Sequence, residues 1–211
     1  TLSQTTLRRA LDHLRESGHG GSLLIVPADQ ALLFSASNPY LNLNYRFSDS
    51  EPRRIFRGLL TRVMRRLGQL FPEASRVEWE DYRGCQDGEL NELDEAFENF
   101  SRSLAGMMAM DGAVLMTQRL EVLAFGTEIA GNLPAVHEVE VALDIEAAST
   151  QTEGTAGVGT RHRSVYRLCA QLPWLLALVQ SQDGRIRMVK QHNAKVTYWD
   201  QFGVGSGLND T

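Results

Sequence analysis

The chain holds 211 residues, of which 43% are hydrophobic, 22% charged and 8% aromatic, enough to bury a full core without disulfide or metal staples and about the size of one large domain. With 21 Lys and Arg against 26 Asp and Glu, the formal net charge is −5, which argues against a general nucleic-acid or anionic-membrane binder. Two cysteines, Cys85 and Cys169, are too few for a disulfide scaffold and lack metal-ligand spacing, so a reducing, cytoplasmic compartment is expected.

In chain order, Thr5–Glu16 sets Leu7, Leu11 and Leu14 at helical spacing, and Gly18-His19-Gly20-Gly21 ends that helix. Ser22–Val26 is apolar throughout, as in a strand covered on both faces, and Pro27 stops it. Residues 28–50 read as a loop or irregular insertion. Pro52–Phe71 is amphipathic: Ile55, Leu59, Val63, Leu67 and Leu70 face inward, while Arg53, Arg54, Arg57, Arg62, Arg65 and Arg66 form a solvated face or a patch for an anionic partner.

A polar stretch around Tyr82–Gly88 precedes a helix over Glu89–Met108, whose buried stripe is Leu90, Leu93, Phe97, Phe100 and Leu104. Met107, Met108 and Met110 are expected to fill gaps in the core. Gly112–Met116 and Glu121–Phe125 predict a hairpin. Val136–Ile145 alternates Val139, Val141 and Leu143 inward with Glu138 and Glu140 outward. Ala147–Gly159 is small, polar and glycine-rich, and is expected to be a mobile loop. A short helix over Arg163–Gln171 and strands over Leu175–Val179, Arg185–Val189 and Lys195–Trp199 follow, before a Gly/Ser-rich tail.

The order is α/β with a central mixed sheet flanked by helices, a single domain over 1–211 with insertions near 36–88 and 130–158. The longest apolar run, Leu172–Val179, is broken by Pro173 and too short to cross a bilayer. No basic-then-apolar signal opens the chain, and its start at Thr1 leaves an upstream segment on a longer parent open.

Two segments carry the chemistry. In Met110-Asp111-Gly112-Ala113 an acid sits between a helix end and an apolar strand, and the small residues after it admit a close approach to the backbone. In Gly157-Val158-Gly159-Thr160-Arg161-His162-Arg163-Ser164 a glycine loop feeds a helix start, where free amides and the dipole attract an anion. Arginines in a first turn oppose that dipole, so Arg161 and Arg163 either serve a bound phosphate or pair with surface acids. There is no Walker loop, dinucleotide fingerprint or Gly-X-Ser-X-Gly elbow. His13, His19, His137 and His192 read as loop, surface or half-buried residues, and Cys169 as a small buried hydrophobe.

Asp-Gly-Ala after a long helix, then Gly-Thr-Arg-His-Arg-Ser before a short helix and an apolar strand, resembles the diadenylate cyclase domain of DNA-integrity scanning proteins and their relatives. The Gly18–Val26 turn and strand agree with it, and the likeness covers roughly 1–35 and 89–190. The resemblance implies a bacterial protein condensing two ATP molecules into cyclic di-AMP with release of pyrophosphate, dependent on Mg²⁺ or Mn²⁺, from a face-to-face homodimer. Carried over by position, Asp111 is the metal-linked acid near the attacking 3′-hydroxyl, and Gly112 and Ala113 form a backbone wall beside the nucleotide. Arg161, His162 and Arg163, with Gly159, Thr160 and Ser164, hold the phosphates, and Gln180 and Ser181 line the nucleotide site.

Many cyclases of this family place Ser-Glu-Glu after that strand. Here the stretch is Gln180-Ser181-Gln182-Asp183-Gly184, so the second metal position falls on Gln182. The 45 residues between Ala113 and Gly159 also exceed the usual spacing. These departures resemble a diverged set of cyclase-fold domains that sense nucleotides without turning them over, which is the alternative expectation.

Overall fold

The computed structural model describes residues 1–34, 38–48 and 51–200. Its elements are α1 (Leu2–Glu16), β1 (Gly21–Val26), a 3-10 segment (Ala28–Phe34), β2 (Leu41–Arg46), a 3-10 turn (Glu51–Arg54), α2 (Ile55–Leu70), α3 (Trp79–Gly84), α4 (Gly88–Ala109), β3 (Ala113–Thr117) and β4 (Val122–Ile129). They continue as β5 (Glu138–Ala142), β6 (Thr150–Gly154), α5 (Thr160–Gln171), β7 (Leu176–Gln180), β8 (Ile186–His192) and β9 (Lys195–Asp200). Nine strands form one mixed sheet in the order β2-β4-β3-β1-β7-β8-β9-β5-β6. Only β1/β3 and β5/β9 pair in parallel among the described residues.

The sheet is covered on both sides at its centre. In β1, Leu23 and Ile25 join the core shared with α1, α2 and α4, whereas Leu24 and Val26 join the core under α5. The period-2 geometry of a strand with apolar residues at every position requires a layer on each face. Local signals start the helices: Thr1 and Gln4 form a capping box on α1, and the Asp87 carboxylate accepts from Leu90 N at 3.1 Å at the start of α4. Asp87 also takes Arg66 of α2 at 2.6 Å, which ties the two helices together.

Several expectations need correction. The stretch 28–50 is not all irregular, because it holds a 3-10 segment and β2, which pairs antiparallel with β4. The polar stretch before α4 contains α3. Ala147–Gly159 is not simply a loop: Thr150–Gly154 is the edge strand β6, paired with β5 over five residue pairs. It carries no apolar side chain, and pairing with β5 makes it a strand. Glu140 is 6% exposed rather than outward-facing, since Lys195 of β9 donates to it at 2.6 Å and Thr152 of β6 at 3.0 Å. Leu143, expected inward, is exposed, and so is Met110, whereas Met108 is fully buried. The Gly/Ser-rich tail lies outside the described residues.

No helix among the described residues is long and apolar enough to cross a membrane.

Candidate functional site

β1 and β3 are parallel, and β7 runs antiparallel to β1 with Gly21 opposite Gln180. The entries to β1 and β3 and the exit from β7 therefore share one end of the sheet. That end collects the two motifs. Arg161, the second residue of α5, reaches over Gly20: a Cβ on Gly20 would lie 2.3 Å from Arg161 Nη1 and 2.8 Å from the Gln180 carbonyl oxygen. The guanidinium and the Gln180 carbonyl together leave no room for a side chain at Gly20. Asp111 lies two residues before β3, the strand paired beside β1.

α5 begins at Gly159 with no capping side chain and no acid in its first turn, so its leading amides point unpaired toward this end. Among the described residues neither Arg161 nor Arg163 forms a salt bridge. The alternative that they pair with surface acids is not what the structure contains. Arg163 and Thr160 are exposed, and Ser164 is half-buried.

His162 sits differently from its neighbours. It is 8% exposed, its ring lies edge-on to Tyr166 with centroids 6.3 Å apart, and Nε2 has no hydrogen-bond partner. Burial, then the nearby Arg187 and Arg161 charges, lower its pKa from 6.5 to about 4, against smaller opposing effects of Asp183 and Asp200. His162 is neutral at pH 7 and offers no cation to a phosphate. Because the unfolded chain binds this proton near pH 6.5 and the folded chain only near 4, the neutral ring's contribution is complete above 6.5 and lost as pH falls toward 4. The melting temperature of the parent is expected to fall more steeply between pH 6.5 and 4 than that of His162→Gln. Parallel profiles would contradict the buried, neutral assignment.

Beneath α5 lies a group that the sequence reading did not single out. Arg187 of β8 donates to the Tyr166 hydroxyl at 3.1 Å, stands 4.1 Å over the Tyr198 ring and lies 3.8 Å from Asp200. Tyr198 in turn donates to the Glu153 carboxylate. These residues come from four elements, so no local spacing marks them. Gly20 did carry a signal, since Gly18-His19-Gly20-Gly21 has more glycine than a helix stop needs.

The Asp-Gly-Ala motif is partly explained by the fold itself. Gly112 has φ +96°, and a Cβ there would fall 2.6 Å from Gly126 C and 2.8 Å from Thr127 N. What approaches this backbone closely is β4. Ala113 is 3% exposed in the core under α5. Asp111 is exposed, and its Oδ1 accepts from Gly112 N at 3.0 Å.

Of the remaining residues, Gln180 is buried, and its amide turns away to α1, within 3.3 Å of Leu11 O and 3.0 Å of Arg15 N when oriented to satisfy both. Only its backbone faces Arg161. Ser181 is half-buried, and Gln182 is exposed.

Among the described residues no group of three or more His, Cys, Asp or Glu side chains is arranged to hold a metal ion. A magnesium ion in a nucleotide site typically uses one or two carboxylates plus phosphate oxygens. One exposed carboxylate, Asp111, fits an ion carried in on phosphates, and not an all-protein cage. No protein-family model matches the chain, and no curated protein matches it.

Proposed function

We propose that this end of the sheet binds ATP and that the domain is a diadenylate cyclase. The observations that support this reading are Arg161 at the uncapped α5 start lying over Gly20 before β1, and Asp111 just before β3, the strand paired beside β1. Arg161, Arg163 and the first α5 amides bind phosphate oxygens, as unpaired guanidinium groups at a helix start do. Asp111 orients the ribose 3′-hydroxyl and holds the cation. Mg²⁺ or Mn²⁺, when bound, neutralises charge on the transferring phosphoryl group.

In each half-reaction a 3′-oxygen bonds to the α-phosphorus of the other ATP. The bond from that phosphorus to the pyrophosphate oxygen breaks, and the hydroxyl proton passes to solvent. Two such steps close the ring and release two pyrophosphates. One chain brings one Asp111 and one Arg161–Arg163 pair, so the reaction needs two chains face to face, related by a two-fold axis.

A second reading is a nucleotide sensor without turnover. It is favoured by Gln182, whose neutral amide takes the position where the resemblance expects a second carboxylate.

Incubation with ATP and MnCl₂ or MgCl₂, followed by chromatography, separates the two. The expected result is cyclic di-AMP that rises with the square of protein concentration when dimers are scarce and vanishes in Asp111→Asn while ATP binding persists. Saturable ATP binding with no product at any protein concentration selects the sensor.

A further inference from the structure

A cleft of about 880 Å³ opens at the other end of the sheet, between the first half of α1, α3 and the start of α4. Its floor includes Leu11 and Leu178, and it reaches the Ile25–Leu176 pair, whereas Arg161 covers the Gly21–Gln180 end. The two sites are separated along the strands and lie on opposite faces, because Leu11 and Leu178 belong to the core opposite α5.

The lining has a definite chemistry. Trp79 and Tyr82 stack on one wall, with ring centroids 5.3 Å apart and planes at 27°. Burial raises the Tyr82 pKa, so its hydroxyl is a neutral donor. Three arginines face one aspartate: Arg9 is spent on Asp94, with two contacts at 3.1 Å. Arg8 and Arg83 are exposed and form no salt bridge among the described residues. A chain of net charge −5 thus lines this cleft with surplus positive charge. An apolar floor, an aromatic wall and two available guanidinium groups select a flat apolar body with one anionic group. The volume is within the range that encloses a drug-sized ligand.

We propose that this cleft is a second ligand site, specific for aromatic carboxylates or sulfonates and separate from the nucleotide site. The probe is 8-anilinonaphthalene-1-sulfonate, read by its fluorescence, with near-ultraviolet circular dichroism to verify native packing. Saturable binding of one probe per chain is expected. The double variant Arg8→Gln with Arg83→Gln weakens it about ten-fold. Thr5→Trp, which fills the cleft from its partly exposed wall, abolishes it. The neutral N-phenyl-1-naphthylamine binds more weakly than the sulfonate, and millimolar ATP leaves the signal unchanged. Binding that neither variant alters, equal affinity for the neutral dye, or displacement by ATP would each overturn the proposal. Loss of ATP binding in Arg161→Ala without any change in dye binding would keep this site distinct from the proposed nucleotide site.

Discussion

Gly112→Ala is expected to destabilise the domain by about 3–5 kcal/mol, combining a strained positive φ with backbone overlap that cannot relax cheaply. The added methyl would sit 2.6 Å from Gly126 C and 2.8 Å from Thr127 N, both of them backbone atoms held by the β3–β4 pairing. Urea titration should show a lower midpoint with an unchanged slope. Gly157→Ala, which meets nothing within 4 Å and has no positive φ, is the control and should stay within about 0.5 kcal/mol of the parent. Equal midpoints for the two variants would show that β4 does not crowd residue 112. The result also separates two roles of the motif, since a glycine kept only for a nucleotide would cost binding and leave stability alone.

The largest effect on binding should come from Arg161→Ala combined with Arg163→Ala. Removing a desolvated charge that holds a phosphate costs about 2–5 kcal/mol, or roughly 30-fold to several-thousand-fold in affinity. Folding should be nearly unchanged, because neither arginine forms a salt bridge among the described residues. Gly20→Ala provides an independent approach. Its Cβ would lie 2.3 Å from Arg161 Nη1 and 2.8 Å from the Gln180 carbonyl oxygen, so the guanidinium must move and the backbone contact costs some stability; at temperatures where the variant is folded, ATP affinity should drop without any change at position 161. Calorimetric titration with ATP measures both variants. An arginine double variant that binds ATP as the parent does would remove this end of the sheet as the phosphate site.

Elements with their own periodicity were legible from the chain alone. The α4 stripe of Leu93, Phe97 and Leu104 is fully buried, and β1 is buried at every position, because helix and strand spacing are local properties. The mixed sheet between helices follows from the alternation of such elements. The loop-to-helix start at Gly159 and the acid before β3 were also visible as departures from ordinary helix and strand chemistry.

Pairing and contact across the chain decided the rest. β2 and β6 are short edge strands: β2 lays Leu41 and Leu43 on the core and Tyr45 on Phe125 of β4, whereas β6 has only polar side chains and glycine and is held by its pairing with β5. Glu140 is buried because Lys195, 55 residues away, supplies its partner. His162 falls between two cations of one motif, yet burial keeps its ring neutral. The vacant Cβ positions at Gly20 and Gly112 look alike in sequence. Arg161 and the Gln180 carbonyl share the space at Gly20, which ties that glycine to both the candidate site and the fold, and the β4 backbone alone takes the space at Gly112, which ties that one to the fold. A glycine records that room is needed; only the packed structure determines which group fills it.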